Sequence, residues 1–356
     1  MKRFLLISAL IASYICAAAQ EFNCTPPVVY PDGRVEFKIF APNAQSVGVM
    51  TEGACPLTRN EKGEWTGISE PMLPGFHYYF IMIDGIQIVD PASPAYFGFG
   101  YTSSGIETPY PEGDNRFSLM DVPHGTVGQI RYFSKVNDDW KRMFVYTPPQ
   151  YNPKKKYPVL YLIHGGGENE TGWFNQGKAD VLIDNMLASG EVVPMIVVAL
   201  DGNTKDFFTE LTTECIPLVE SSFKVKKGSE NRAIAGLSKG GIQTLESALS
   251  HPELFGHVGV LSSGFFNGTD NHRISNYNKE DLYAKMAADP AYFNKQFKTF
   301  FLSQGGPKDI AYENCAAMRE RFDEIGIKYI YFDTPGGHSW HVWRESLYQF
   351  APHLFK

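Results

Sequence analysis

The run Arg232-Ala-Ile-Ala-Gly-Leu-Ser-Lys-Gly-Gly241 sets a serine between two glycines, where a short apolar stretch gives way to helical spacing. Ile242, Leu245 and Leu249 recur at that spacing, and Pro252 closes the segment. A strand that breaks into Gly-x-Ser-x-Gly and resumes as a helix holds its serine in a strained turn at the tip of a sheet, hydroxyl outward. Gly236 and Gly240 are required because a side chain at either position would collide with the neighbouring strand or helix. A serine hydroxyl is a poor nucleophile until a base takes its proton, and a third group must orient that base. Acyl transfer through Ser238 is the chemistry these residues point to.

In an α/β-hydrolase elbow the partners follow in the chain order serine, acid, histidine. Downstream of Ser238, an apolar strand from Lys298 runs into Gly305-Gly-Pro-Lys-Asp309, and a second from Lys328 runs into Asp333-Thr-Pro-Gly-Gly-His338. Both end where an open α/β sheet gathers its functional loops, beyond the carboxyl ends of the strands. Asp309 is the expected orienting acid and His338 the expected base. Asp333 is the rival acid, but it ends the strand that delivers the histidine, whereas the acid usually comes from the strand before. His341 is the rival base, but it falls within the start of a helix. Read as a metal pair, His338 and His341 lack a third ligand at zinc spacing. Neither a metal nor another cofactor is expected. His251 and His257 flank the end of the elbow helix and read as structural histidines.

A tetrahedral intermediate needs two preorganised donors for its oxyanion. One is the backbone N–H of Lys239. The other should come from Gly165-Gly166-Gly167, which follows the strand Tyr157-Pro-Val-Leu-Tyr-Leu-Ile-His164, with Gly166 as the candidate donor. A glycine-rich turn without a chemical role is the competing reading, and His164 reads as a hydrogen-bonder that shapes the loop. Trp173, Phe265 and Phe266 follow strand ends near the serine. They either line an acyl pocket or simply cover the sheet.

The chain has 356 residues, 43% of them hydrophobic and 20% charged, enough to bury two cores. A formal charge of -7 with no basic run beside the motifs argues against nucleic-acid binding. Lys154-Lys-Lys156 sits among Pro and Tyr and reads as a solvated turn. At the amino end, Lys2 and Arg3 precede an apolar run from Phe4 to Ile15, and Ala17-Ala-Ala19 fits a cleavage site. Residues 1–19 are expected to be a signal peptide, and the protein to be secreted or periplasmic. The apolar run is too short to span a bilayer, and no membrane association is expected. Cys16 follows the bulky Ile15 rather than a small residue, which disfavours a lipoprotein. Export permits disulfides, so Cys24 and Cys55 are a candidate pair, while Cys215 and Cys315 read as buried thiols on helix faces. Oligomeric state is not legible.

Residues 20–97 read as all-β: Val35, Phe37 and Ile39 alternate with Glu36 and Lys38, and Asp84-Gly85 is a hairpin turn between apolar strands. Short strands at this spacing predict a small immunoglobulin-like β-sandwich. Residues 98–118, rich in Gly, Ser, Pro and Tyr, read as a linker. Over 119–356, seven apolar strands alternate with helical stretches near 179–189, 207–222, 311–325 and 340–350. That alternation predicts an α/β-hydrolase fold on a mostly parallel sheet.

With these residues in hand, the chain resembles the esterase D-like group, carbohydrate esterase family one. Tyr161-Leu-Ile-His-Gly-Gly-Gly167, Thr171-Gly-Trp173, Ile216-Pro-Leu-Val-Glu220, Gly236-Leu-Ser-Lys-Gly-Gly241 and Pro335-Gly-Gly-His-Ser-Trp-His-Val-Trp-Arg344 carry the likeness. The front unit, with Val35-Glu-Phe-Lys-Ile-Phe-Ala-Pro-Asn43, Gly63-Glu-Trp65 and Asp84-Gly-Ile-Gln-Ile-Val-Asp-Pro91, resembles a family 48 carbohydrate-binding module. The resemblance implies an exported serine esterase acting on plant cell-wall polysaccharide, with a feruloyl esterase expected and an acetyl-xylan esterase as the alternative. Lys239 departs from it, standing where Met is usual. A non-catalytic glycan-binding protein is the alternative of another class. Trp65 is either a sugar platform or core.

Overall fold

The computed structural model describes residues 21–265 and 277–356, so the expected leader and Phe266 lie outside the described residues. The first unit is built from β1 (Asn23–Val29), β2 (Val35–Phe40), β3 (Val47–Met50), β4 (Ala54–Pro56), β5 (Thr58–Arg59), β6 (Glu64–Ile68), β7 (Gly75–Ile83), β8 (Ile86–Ile88), β9 (Ala95–Gly98) and β10 (Tyr101–Thr108). They form two sheets, ordered β1-β2-β6-β5 and β4-β3-β7-β10-β9, with β8 paired to β7. The period-2 pattern turns Val35, Phe37 and Ile39 inward against Tyr79, Ile81 and Ile83. Asp84 and Gly85 both take positive φ, as a type I′ hairpin turn requires. Trp65 belongs to this core, its indole N–H donating to Ala41 O at 3.0 Å.

Two expectations need correction. The supposed linker is largely sandwich, because Tyr101–Thr108 pairs with β7 along Gly75–Tyr79. Its Ser and Gly residues mimic a loop, but they are small because space is short. Ser103 and Ser104 are fully buried, and a Cβ on Gly105 would strike the Phe76 ring. Cys24 and Cys55 are separate buried thiols, not a disulfide. They sit on strands of different sheets, and burial followed by the nearby Asp90 carboxylate pushes the Cys24 thiol up to about 12. Cys215 and Cys315 are buried free thiols, as expected.

The second unit centres on one eight-stranded sheet. Its strands are β11 (Thr126–Ser134), β12 (Asp139–Thr147), β13 (Val159–Ile163), β14 (Ile196–Leu200), β15 (Arg232–Leu237), β16 (His257–Leu261), β17 (Thr299–Gln304) and β18 (Ile330–Asp333). The order is β11-β12-β14-β13-β15-β16-β17-β18, with β11 and β12 antiparallel and the rest parallel. β13 is buried throughout because both faces are covered. Tyr161 and Ile163 enter one core and Leu160 and Leu162 the other. The stretch 207–222, read as one helix, contains a π-helical turn at Leu211–Cys215 just ahead of Pro217, which cannot supply a backbone donor. This is the α/β-hydrolase architecture preceded by a small β-sandwich.

Buried polar contacts join the units. Arg344, wholly buried, makes a two-pronged pair with Glu107 at 2.6 and 3.0 Å, and its Nε donates to Gln176 O at 2.7 Å. The Gln176 amide donates to Tyr78 Oη at 2.6 Å, and His341 Nδ1 meets Pro74 O at 2.8 Å.

Candidate active site

Ser238 stands between β15 and the helix Lys239–Ser250 with φ 50° and ψ -121°, a conformation that L-residues rarely adopt. Its amide donates to Leu261 O at 3.0 Å, and Ser263 Oγ donates to its carbonyl at 2.7 Å, so both sides of the turn are tied down. The glycines are needed for the expected reason. A Cβ on Gly240 would lie 2.5 Å from His164 O, and one on Gly236 would meet Gly240 O. Lys239 opens the helix, so its amide belongs to the first turn, where N–H groups have no intrahelical acceptor.

His338 Nδ1 lies 2.7 Å from Asp309 Oδ1, on the loops that follow β18 and β17. Asp309 is buried and also accepts from Gly305 N–H at 3.1 Å and Ala311 N–H at 2.9 Å. Burial alone would raise its carboxyl pKa, but the bonds from His338 and the Ala311 amide hold it below the ordinary aspartate value. The rival acid Asp333 is exposed at the end of β18. The rival base His341 is occupied by Pro74 O, and burial pushes its pKa down. His164 shapes the glycine loop: it accepts from Gly202 N–H at 2.9 Å, which leaves Nδ1–H to donate to Gly165 O at 2.7 Å.

Gly166 borders a cavity of about 470 Å³ shared with Ser238 and His338. A Cβ on Gly166 would meet nothing within 4 Å, so its backbone faces open space. The loop is braced from behind by Glu168, a residue the sequence reading missed. One Glu168 oxygen accepts from Gly165 N–H at 3.3 Å, the other from Trp340 Nε1–H at 2.8 Å and Tyr78 O–H at 3.1 Å. Burial raises the carboxyl pKa of Glu168. Gly100 of the sandwich donates to Gly167 O at 2.7 Å, so the first unit helps to set this loop.

Two of the expected pocket aromatics, Trp173 and Phe265, lie elsewhere. Trp173 is buried, its Nε1–H on Ile163 O at 3.1 Å and its ring edge-on to Trp340 at 5.4 Å. Phe265 packs into the core against Tyr283. Both cover the sheet rather than border the cavity. The cavity's aromatic lining is Phe76, Tyr78, Phe80, Phe99, Trp340 and Trp343. Four of the six come from the sandwich, because β7 turns Tyr79, Ile81 and Ile83 inward and presents Phe76, Tyr78 and Phe80 on its other face. The signal was present as the alternation in Gly75-Phe-His-Tyr-Tyr-Phe80, but nothing in it says that the outer face meets a second unit. Lys239 reaches away, its ammonium 3.3 Å from Asn203 Oδ1, and burial lowers its pKa.

Residues 134–354 match the Esterase family model. The chain is 36% identical over 354 residues to the endo-1,4-beta-xylanase/feruloyl esterase of Xylanibacter ruminicola, covering 93% of this chain and 46% of that protein. It therefore spans about half the length of that relative. Among solved structures, the enterobactin esterase of Shigella flexneri superposes with a TM-score of 0.67 over 94% of this chain and 96% of its own, at 16% identity. The feruloyl esterase module from Clostridium thermocellum, solved with sinapinate, gives 0.59 over 69% of this chain and 93% of its own, at 24% identity. At those identities the structures speak for the fold alone, in the first case with the sandwich included. The family model, matching more than half of the chain, places it in the Esterase family.

Proposed function

We propose that this chain is an exported serine esterase that releases feruloyl groups from plant cell-wall polysaccharide through an acyl-serine intermediate. The observation that carries the reading is the convergence of Ser238, His338 and Gly166 on one cavity of about 470 Å³ that six aromatic side chains also line. A flat phenolic acyl group gains from such walls, whereas an acetyl group needs only a shallow dimple. The name of the Xylanibacter relative supports the same substrate class.

In this mechanism His338, oriented by Asp309, takes the proton of Ser238 as Oγ attacks the ester carbonyl. The N–H groups of Gly166 and Lys239 receive the oxyanion. Collapse breaks the ester C–O bond, and the protonated His338 gives its proton to the departing sugar alcohol. The same base then activates water to release the acid. Residues 1–19 would direct export and be removed.

The test uses Ser238→Ala with methyl ferulate and acetylated xylan as separate substrates. The variant should lose at least about a thousandfold in turnover of methyl ferulate. Unchanged turnover would sink the serine mechanism and favour a glycan-binding role. Rapid deacetylation of xylan by the wild type without ferulate release would make it an acetyl-xylan esterase.

A further inference from the structure

A second cavity, of about 590 Å³, takes no part in the mechanism above. Its lining is Arg131, Trp140, Lys141, Arg142, Glu170 and Asp201. The hairpin of β11 and β12 supplies most of it, in a register that sets Phe133 opposite Trp140 and Arg131 opposite Arg142. Alternation sends Tyr132 and Lys141 inward, where both bond Glu210, and leaves the other four on the outer face. Trp140 is 68% exposed and Phe133 47%, their rings edge-to-face at 5.8 Å.

Two features of this face carry a free-energy cost. Two large aromatic rings stand in water side by side. Directly beside them, like charges oppose each other across a strand pair, which is destabilising. Glu170 answers Arg142. Among the described residues, no ion pair or hydrogen bond answers the Arg131 side chain. An aromatic platform next to an unpaired guanidinium matches one ligand chemistry: a sugar ring whose C–H face stacks on the indole and whose carboxylate pairs with the cation.

The cleft and the candidate active site draw on one loop. Segment 164–170 contributes Gly165, Gly166 and Glu168 to the first cavity and Glu170 to the second. Asn203 ties the two together, accepting from Lys141 Nζ at 3.1 Å, donating to Glu168 O at 2.8 Å and accepting from Lys239 Nζ at 3.3 Å. An ester with its acyl group among the aromatics of the first cavity leaves its alcohol portion outside it. We infer that the Trp140 cleft is a glycan subsite for the chain that bears the ester, stacking a sugar on Trp140 and pairing an acidic sugar's carboxylate with Arg131. The inference rests on the polysaccharide-ester reading of the first cavity.

Calorimetry on the Ser238→Ala protein tests it without turnover, with two probes: a xylo-oligosaccharide bearing a glucuronosyl branch and its unbranched counterpart. The branched probe should bind about tenfold more tightly at low salt, and adding Trp140→Ala should weaken both by about tenfold. Adding Arg131→Gln should abolish the preference and spare the unbranched probe. In the active protein, Trp140→Ala should leave methyl ferulate turnover within about twofold, because the residue is exposed and lines none of the acyl cavity. Oligosaccharide binding that is undetectable, or unmoved by Trp140→Ala, overturns the subsite even when methyl ferulate is cleaved normally. Equal affinity for the two probes overturns the role of Arg131. Failure to cleave methyl ferulate in the unmutated protein would instead strike the esterase reading itself.

Discussion

On one side of the cavity, Ser238, Gly166, Asp309 and His338 each follow the carboxyl end of a parallel strand and are held by short bonds from near neighbours in the chain or in the sheet. On the other side, Phe76, Tyr78, Phe80 and Phe99 belong to the sandwich and are placed chiefly by one another, ring against ring at 4.8 to 5.4 Å. The first wall is rigid because an elbow and an oriented histidine demand close geometry. The second is a largely apolar surface whose hydrogen bonds gather at the Tyr78 hydroxyl, and Phe99 is 59% exposed. Under the proposed function, bond-breaking falls to the esterase unit and much of the fit of the acyl group to the sandwich. In such an arrangement substrate choice can change without disturbing the chemistry.

The largest effect should come from the rigid wall. Asp309→Asn should lower turnover by about 10⁴-fold by leaving the His338 ring in the wrong tautomer, while Asp333→Asn should stay within about twofold. A reversed ranking in steady-state kinetics would break the assignment of the orienting acid. Next comes a residue that belongs to neither wall. Trp173→Ala should cost about 3–5 kcal/mol of stability in a denaturant melt, as large core truncations do. It should leave the ratio of ferulate to acetate release unchanged, and a changed ratio would return Trp173 to the pocket.

The soft wall should respond more gently and more selectively. Phe80→Ala should reduce kcat/KM on methyl ferulate by about tenfold, the loss of one aromatic face, and reduce 4-nitrophenyl acetate cleavage by less than about twofold. Equal losses on both substrates would mean that the sandwich serves the chemistry as well as the fit. The smallest effect concerns pH. Asp309 is held below its unfolded value of about 3.9, so its contribution to stability is complete above that value and is lost as pH falls through the lower folded one. Asp309→Asn should therefore flatten the acid limb of the stability curve, as thermal melts at a series of acid pH values would show.

Ser238, Asp309, His338 and the glycine loop were legible because each depends on a local pattern: a strand, a glycine turn and a fixed chain order. Seven of the eight strands of the large sheet were legible for the same reason. β11 was missed because it is an edge strand whose residues are mostly exposed, so it lacks the apolar run that marks its neighbours. The strand Tyr101–Thr108 was taken for a linker because its small residues answer to tight packing against Phe76, a fact written in another part of the chain. Trp173 and Phe265 lay near the right strand ends, but which way a ring turns is decided by what fills the space beside it. In both cases that space was core.

By itself, the sequence determined the two-part organisation, the elbow and the order of the residues around it, since these follow from periodicity and turn chemistry within a few residues. Only the tertiary structure decided that β7 faces the esterase with Phe76, Tyr78 and Phe80, that Glu168 braces the glycine loop through Tyr78 and Trp340, and that no partner answers Arg131 among the described residues. The physical reason is separation along the chain. Tyr78 and Glu168 stand 90 positions apart, and the Arg344–Glu107 pair that helps to join the units stands 237 apart. Contacts at that range arise from packing two finished surfaces, whose complementarity no local pattern records.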